Sequence, residues 1–436
     1  MPISKKEINM FLSFKDLQEQ VNFTLKNEIN LGLDRIVQFL ERVGNPQDQI
    51  QVVHIGGTNG KGSTLRFLEG ILIEAELKVG VFHSPAYQFI NDQISVNGTH
   101  ITDEEMIEII QVFTKHGLDQ AGLTEFELQT AMAFYYFATI QKVDIALIEV
   151  GLGGREDSTN VMTPVLSIIT NVGHDHIGFL GSSVEEIAYH KAGIIKSGVP
   201  IISGEQKSAA KEVIQKEALQ KESPLYFMEE DFFYQLEEGE RLSFRSARKS
   251  VEELELSLYG DHQAANASLA IMAYTLLIEK LELEYDESVL KAGLLKTVHP
   301  GRFEIFQKEP LIILDGAHNE EAIDALVNSI DRKFSKKKIV VLFSALKDKP
   351  IEMMVGKLEH IADEIIFTSF DFPRAARAED ICKVSDHHRR EFEEDWRMAL
   401  QTAISRIGNN SVLLITGSLY FISEIRTKLT KGREKK

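Results

Sequence analysis

One run constrains this chain more than any other: Val52-Val53-His54-Ile55-Gly56-Gly57-Thr58-Asn59-Gly60-Lys61-Gly62-Ser63-Thr64. Apolar, β-branched residues feed into a glycine-rich turn, and the turn feeds an apolar-periodic stretch, 65–75, that predicts a helix. Glycines let the backbone curl until several N–H groups point inward, and a helix start adds partial positive charge, so the turn suits a polyphosphate. Lys61 would reach the β- and γ-phosphates, and Ser63 or Thr64 would offer a hydroxyl near Mg²⁺. The spacing departs from the common G-x-x-x-x-G-K-[ST] form, because Ile55 stands at the first glycine and Gly62 precedes the hydroxyl. The plainer reading is a turn that merely joins strand to helix.

Short apolar stretches alternate with longer amphipathic ones along the rest of the chain, the pattern of an α/β protein whose parallel sheet is covered on both faces. Strands are expected at 51–55, 143–150, 165–171 and 199–203, and again at 311–314, 338–343, 364–368 and 412–416. Expected helices at 320–332, 351–360 and 391–407 lie between members of the second series and make it a doubly wound array. The turn-forming His299-Pro300-Gly301 separates a domain of residues 1–298 from a smaller one of 299–436. Charged residues dominate 208–255, where Leu254, Leu256 and Leu258 alternate as in peripheral antiparallel strands.

Lys and Arg number 48 against 66 Asp and Glu, a net charge of −18. Such a surface repels nucleic acid and anionic lipid, so neither is expected as a partner, and an anionic ligand must be held by local geometry. The single Cys382 cannot form an internal disulfide, and no apolar run reaches the roughly 18 residues of a membrane span. After Met10-Phe11-Leu12 the chain turns charged at Lys15 and Asp16, unlike a secretory leader, so a cytoplasmic protein is expected.

In open α/β sheets, ligands gather outside the carboxyl ends of the strands, so polar residues that end apolar runs are informative. Glu149 ends one such run, and another leads to His174-Asp175-His176. Glu149 and His176 could share Mg²⁺ with the hydroxyl of Ser84, although imidazole is an unusual Mg²⁺ ligand. Taken singly, Glu149 also reads as an N-cap or ion-pair partner and His176 as a hydrogen-bonded loop residue. Asp315 and His318 follow 311–314 in the same way: a carboxylate can grip a ribose, and a histidine can touch phosphate or move a proton. Asp315 equally reads as a helix cap. The pair His387-His388 reads as solvated surface and Trp396 as packing.

These motifs, in this order, resemble those of the folylpolyglutamate synthase and dihydrofolate synthase family, a branch of the Mur-type ATP-dependent amide ligases. The likeness runs through Leu31-Gly32-Leu33-Asp34-Arg35, Gly57 to Ser63, Thr124-Glu125-Phe126-Glu127 and Glu149 to Asn160. It continues through Asp175-His176, Lys191 to Lys196, Gly260 to Asn266, Pro300 to Glu304, Asp315 to Asn319 and Gly417-Ser418-Leu419-Tyr420.

The resemblance implies a P-loop-containing Mur-ligase-like N-terminal domain and a smaller Rossmann-like doubly wound C-terminal domain. It implies ATP-dependent addition of L-glutamate to a folate, to dihydropteroate, or to both, through an acyl phosphate. Thr58, Asn59, Gly60, Lys61, Gly62, Ser63, Asn266, Arg302 and Asp315 match ATP contacts, and Ser84, Glu149 and His176 match magnesium ligands. Lys191 matches a lysine carbamoylated by CO₂; read by itself it is an ordinary surface ammonium after a helix at 184–190. Catalysis is expected of Lys61, Lys191 and His318. Leu31, Gly32, Leu33, Glu125, Phe126, Glu127, Glu156, Asp157, Ser158 and Ser418 match substrate-binding positions. The loop 86–93 departs from the family, with Gln93 in place of an arginine and Asp92 in place of a longer acid. A ligase for a cell-wall precursor or another carboxylate, and an ATP-binding protein that has lost ligation, stay open as alternatives. A monomer is expected.

Overall fold

The computed structural model describes residues 32–86, 89–237 and 241–433. It divides into two compact units, one made of the chain up to Glu255 together with Ala265–Thr297, the other of Leu256–Ala264 and Val298–Lys436.

An eight-stranded sheet organises the larger unit. Across it lie β4 (Thr99–His100), β3 (Ile94–Val96), β2 (Val79–Phe82), β5 (Ile145–Glu149), β1 (Val52–Gly56), β6 (Leu166–Ile169), β7 (Ile201–Ser203) and β8 (Leu225–Phe227). From β2 to β8 every pairing is parallel, and β3 and β4 close one edge antiparallel. The central strands are buried on both faces, which is why they read as unbroken apolar runs. Val52, Phe82, Ala146 and Ile148 pack into one core with Phe39, Phe113, Phe134 and Phe137. Ile169 and Ile201 pack into another with Ile187, Ala192 and Ile214. The register levels the carboxyl ends: Ile55 lies opposite Glu149, Gly56 opposite Ile169, Phe82 opposite Ile148 and Ile169 opposite Ser203. The loops that leave these residues therefore share one edge.

The smaller unit contains a six-stranded sheet: β12 (Glu304–Lys308), β13 (Leu311–Asp315), β17 (Ser411–Thr416), β14 (Lys338–Phe343), β15 (Glu364–Ser369) and β16 (Arg390–Asp395). Only β12 runs antiparallel to its neighbour. Alternate residues serve opposite faces, as strand geometry requires. Ile313, Val341 and Leu414 meet Ile323, Leu326 and Leu358, while Ile312, Val340 and Leu413 meet Leu400, Phe421 and Ile425. This is the expected α/β class, with helices on both faces.

Four expectations need correction. The helix expected at 391–407 is instead strand β16 followed by the helix Trp396–Ser405. Its glutamates favour helix, but the open edge of β15 supplies backbone partners, Glu391 takes an ion pair from Arg406 at 3.0 Å, and Glu394 caps the amide of Ala378 at 3.2 Å. An edge strand tolerates such charge on its solvent side. The segment 208–255 is only partly antiparallel strand. It opens with the helix Ser208–Gln220 and strand β8, then forms a separate antiparallel sheet of β9 (Phe232–Leu236), β10 (Leu242–Ser246) and β11 (Ser250–Leu254). Lys191 lies inside the last turn of the helix Val184–Ala192 and is buried, not a surface ammonium. His387 is also buried, with its Nε2 bonded to the Ala362 carbonyl at 3.0 Å and its Nδ1 accepting from the Arg389 amide at 3.2 Å. Trp396 packs beside Leu400, as expected. Among the described residues no helix is long and apolar enough to cross a membrane.

The helix that follows the glycine turn, Lys61–Glu74, crosses the helix Glu287–Lys296 at backbone contact. A Cβ on Gly293 would stand 2.4 Å from the Cα of Ile71, and one on Gly70 would stand 2.7 Å from the Gly293 carbonyl. Backbone atoms cannot give way as a flexible side chain can. Gly293→Ala should therefore destabilise the protein by about 2 kcal/mol or more despite alanine's better helix propensity. Urea unfolding checks this; a stabilised variant would contradict the close crossing.

Candidate functional site

Thr58 to Gly60 have little side-chain packing of their own, and the residues after β6 hold them in place. The Thr58 amide donates to the Asn171 carbonyl at 3.0 Å, and the Asn59 amide donates to Asn171 Oδ1 at 2.9 Å. Thr58 Oγ1 donates to the Gly173 carbonyl at 3.1 Å and accepts from the Gly173 amide at 2.8 Å. Thr170 Oγ1 donates to the Asn59 carbonyl at 2.6 Å. Two glycines are obligatory here. Gly57 (φ 144°) would place a Cβ 1.8 Å from Thr170 Oγ1, and Gly60 (φ 84°) would place one 2.3 Å from Asn266 Oδ1. Asn266, itself buried, is thus brought to the turn. Gly60 caps the helix that Lys61 and Gly62 open. Lys61 Nζ bends back over the turn, 3.1 Å from each of the Gly57 and Thr58 carbonyls, while Ser63 and Thr64 are buried.

Glu149 is the last residue of β5, beside the start of this turn, and is buried. Ser84 is half-buried two residues beyond β2, at a cis Ser84–Pro85 bond. His176 has a left-handed backbone (φ 52°) and an exposed ring, with Nε2 3.8 Å from Asp175 Oδ2. Among the described residues no three His, Cys, Asp or Glu side chains gather as a metal site. The hard oxygen donors of Glu149 and Ser84 suit Mg²⁺, and the imidazole of His176 suits it less well.

The end of the helix that carries Lys191 is held by the loop that follows Glu149. Arg155 donates its amide to the His190 carbonyl at 2.7 Å, its Nη2 to the Tyr189 carbonyl at 3.2 Å and again to Glu217 at 2.9 Å, and its guanidinium lies 4.0 Å over the Tyr189 ring. Asn160 Nδ2 donates to the Gly193 carbonyl at 3.1 Å. These donors satisfy carbonyls at the helix end.

Of the substrate-matching residues, Leu31 lies outside the described residues, as do Tyr87 and Gln88 of the divergent loop. Gly32 and Leu33 lead into the helix Asp34–Arg42, and Glu125, Phe126 and Glu127 open the helix Glu125–Tyr135. Arg35 joins the two with a bidentate pair to buried Glu127, at 3.2 and 3.1 Å. Phe126 stacks on Phe82 at 5.8 Å, and burial raises the Glu125 carboxyl above its usual range. Glu156 is exposed and Ser158 half-buried. Asp157 points inward, accepting from the Leu152 amide at 2.7 Å and the Thr159 amide at 3.0 Å. Thr159 Oγ1 bonds both Asp157 and, at 2.8 Å, Nε2 of His54. In the divergent loop, Gln93 is buried, and its carbonyl accepts from the His83 amide at 3.0 Å.

In the smaller unit Asp315 ends β13 and is buried, accepting from the amides of Phe303 at 2.7 Å and Ala317 at 2.8 Å. Burial raises its carboxyl, against the opposing pull of Arg302 and these amides. His318 holds its Nδ1 2.8 Å from the Gly316 carbonyl, which assigns the proton to Nδ1. Arg302 is half-buried, and Ser418 is buried beyond β17. Sequence reasoning passed over Thr170, Asn171, Gly173, His54, Arg35 and His262, a buried histidine lowered to about 4 by burial and by Arg302. Their only signal was membership of longer motifs.

Residues 55–274 match the Mur ligase middle domain, and residues 301–419 match the Mur ligase glutamate ligase domain. The chain is 43% identical over 429 residues to the dihydrofolate synthase/folylpolyglutamate synthase of Bacillus subtilis, covering 96% of this chain and 100% of that protein. A structure of Escherichia coli FolC in complex with DHPP and ADP superposes with a TM-score of 0.89 at 27% identity, covering 97% of this chain and 98% of that one. The bifunctional folylpolyglutamate synthase/dihydrofolate synthase of Yersinia pestis, complexed with AMPPNP and Mn ion, gives 0.86 at 27% identity, covering 96% and 98%.

His54 makes the strand under the turn sensitive to acid. Burial, then Lys196, lowers its pKa from 6.5 to about 3. The unfolded chain takes up this proton near 6.5 and the folded one near 3, so the stability is complete above 6.5 and drains as pH falls from 6.5 towards 3. Between pH of about 7 and about 5.5, His54→Gln should lose about 1 kcal/mol less stability than the parent. Urea midpoints at the two pH values test this, and equal losses would contradict it.

Proposed function

This chain belongs to the folylpolyglutamate synthase/dihydrofolate synthase family of Mur-type ligases, and from that premise we propose how its residues perform the reaction. It is an ATP-dependent ligase that joins L-glutamate to a folate, to dihydropteroate, or to both. A carboxylate does not condense with an amine in neutral water because oxide is a poor leaving group. ATP removes that obstacle: a carboxylate oxygen of the acceptor attacks the γ-phosphorus, ADP leaves, and an acyl phosphate forms. The glutamate amine then attacks the acyl carbon, the C–O bond to phosphate breaks, and the amine proton passes to solvent or a nearby base.

Thr58 to Ser63 would form the ATP site, with the amides of Gly60 to Ser63 cradling the phosphates while those of Thr58 and Asn59 stay bonded to Asn171 and shape the turn, and Lys61 would disperse charge on the γ-phosphoryl group as it moves. The observation that carries this reading is the turn itself, pinned from outside by Thr170, Asn171 and Gly173 with Asn266 at its tip. Glu149 and Ser84 would hold magnesium, with His176 as a weaker third donor; bound there, the ion supplies charge neutralisation for phosphoryl transfer. Lys191 would act as an anionic metal ligand once carbamoylated by CO₂. Gly32, Leu33, Glu125, Phe126, Glu127, Glu156 and Ser158 would bound the pterin side, with Leu31 before them and Asp157 shaping the loop.

In the smaller unit Arg302 and Asp315 would contact nucleotide, Ser418 would contact substrate, and His318, with Nε2 left as an acceptor, would aid proton transfer. The division into an ATP-binding domain, 1–298, and a glutamate-ligase domain, 299–436, goes with this assignment of roles. A cytoplasmic monomer fits the acidic charge and the single cysteine.

Lys61→Ala should abolish turnover, and His318→Ala should lower kcat by about 100-fold with little change in unfolding midpoint. Mass spectra of products from dihydropteroate and from tetrahydrofolate, each with ATP and glutamate, read both variants. Parental rates from Lys61→Ala would refute the phosphate-loop assignment.

A further inference from the structure

The residues that pin the phosphate turn are themselves pinned. The turn after β7, Ser203 to Lys207, reaches Val172, which lies between the two residues that bond Thr58. Buried Glu205 accepts the Val172 amide on one carboxylate oxygen. Its other oxygen accepts the amides of Gln206 at 2.9 Å and Lys207 at 2.7 Å, and its own amide donates to Ser203 Oγ at 3.2 Å. Lys207 Nζ donates to the Val172 carbonyl at 2.6 Å. Both backbone groups of Val172 are therefore held by charged side chains from a single turn, while its side chain is buried in the core with Ile169 and Ile201.

We propose that Glu205 and Lys207 are positioning residues for ATP, setting the shape of the phosphate turn through Val172 and its neighbours Asn171 and Gly173. The proposal rests on the reading of Thr58 to Ser63 as the phosphate site. Neither residue belongs to the turn itself. They fix where the Asn171 carbonyl, Asn171 Oδ1 and the Gly173 peptide stand, and those groups fix where the Thr58 and Asn59 amides lie. A turn so templated needs little rearrangement when phosphate binds, so its ordering is settled before the ligand arrives. The competing reading is that Glu205 merely stabilises the start of the helix Ser208–Gln220.

Glu205→Gln separates the two. Its amide can turn an oxygen to the Gln206 and Lys207 amides, but then it presents an NH₂ group to the Val172 amide, donor against donor. Calorimetric titration of ADP should show affinity about tenfold weaker. KM for ATP should rise equally, while KM for L-glutamate stays within about twofold, a split that a general loss of stability would not give. Lys207→Met, on an exposed side chain that should not affect folding, removes the other arm and should weaken ADP about threefold. Asn171→Ala should weaken ADP on its own, and adding Glu205→Gln to it should weaken ADP by less than the sum of the two, because both act through one template.

Unchanged ADP affinity in Glu205→Gln with a lowered unfolding midpoint would overturn the proposal in favour of helix capping. Should Glu205→Gln fail to fold, Lys207→Met and its combination with Asn171→Ala decide in the same way, and parental ADP affinity in Lys207→Met overturns it. Lys61→Ala distinguishes the two levels: parental ADP affinity there sinks the phosphate-site reading itself. Weakened binding there, with parental binding in Glu205→Gln and Lys207→Met, sinks only this proposal.

Discussion

A glycine turn has no conformation of its own, and the structure at the carboxyl edge of the larger sheet depends on the hydrogen bonds that give it one. Two amides and one hydroxyl of Thr58 and Asn59 bond to Asn171 and Gly173, and Thr170 closes the set from beneath. Each bond contributes only about 1 kcal/mol net. Their joint effect is geometric: they fix the turn's outline.

That arrangement is possible because β1 sits between β5 and β6 in parallel register. Parallel pairing brings the exits of neighbouring strands to the same edge, so residues more than a hundred positions apart in sequence become hydrogen-bond partners. The order of strands also places Glu149 and the Asn171 loop on either side of the turn. A sheet buried on both faces is rigid because its packing leaves no room to shift, and the polar loops at its edge inherit that rigidity.

The neighbouring elements are joined by charge. Arg35 and Glu127 tie two segments of the expected pterin side together, and Arg155 ties the loop after Glu149 to the helix that carries Lys191. Partly buried, bidentate or multiply bonded arginines of this kind specify orientation more than they add stability. Asp157 holds its own loop instead. It matches a substrate-binding position, yet its oxygens point at Leu152 and Thr159.

How much of this was legible depends on whether the signal was local. The strand-turn-helix run at Val52 to Thr64, the acid that ends β5 and the aspartate that ends β13 could be read because neighbours in sequence define them. The strand at Arg390–Asp395 could not, because glutamate-rich residues become a strand only when an open edge offers partners. The burial of His387 and Lys191, and the support of Val172 by Glu205 and Lys207, were hidden for the same reason. By itself the chain determined its class, its alternating periodicity and the presence of a glycine-rich turn between strand and helix, since these follow from covalent order and side-chain type. Tertiary structure alone decided which distant polar groups hold that turn, because hydrogen bonds between loops form only after the sheet's register has brought their ends together.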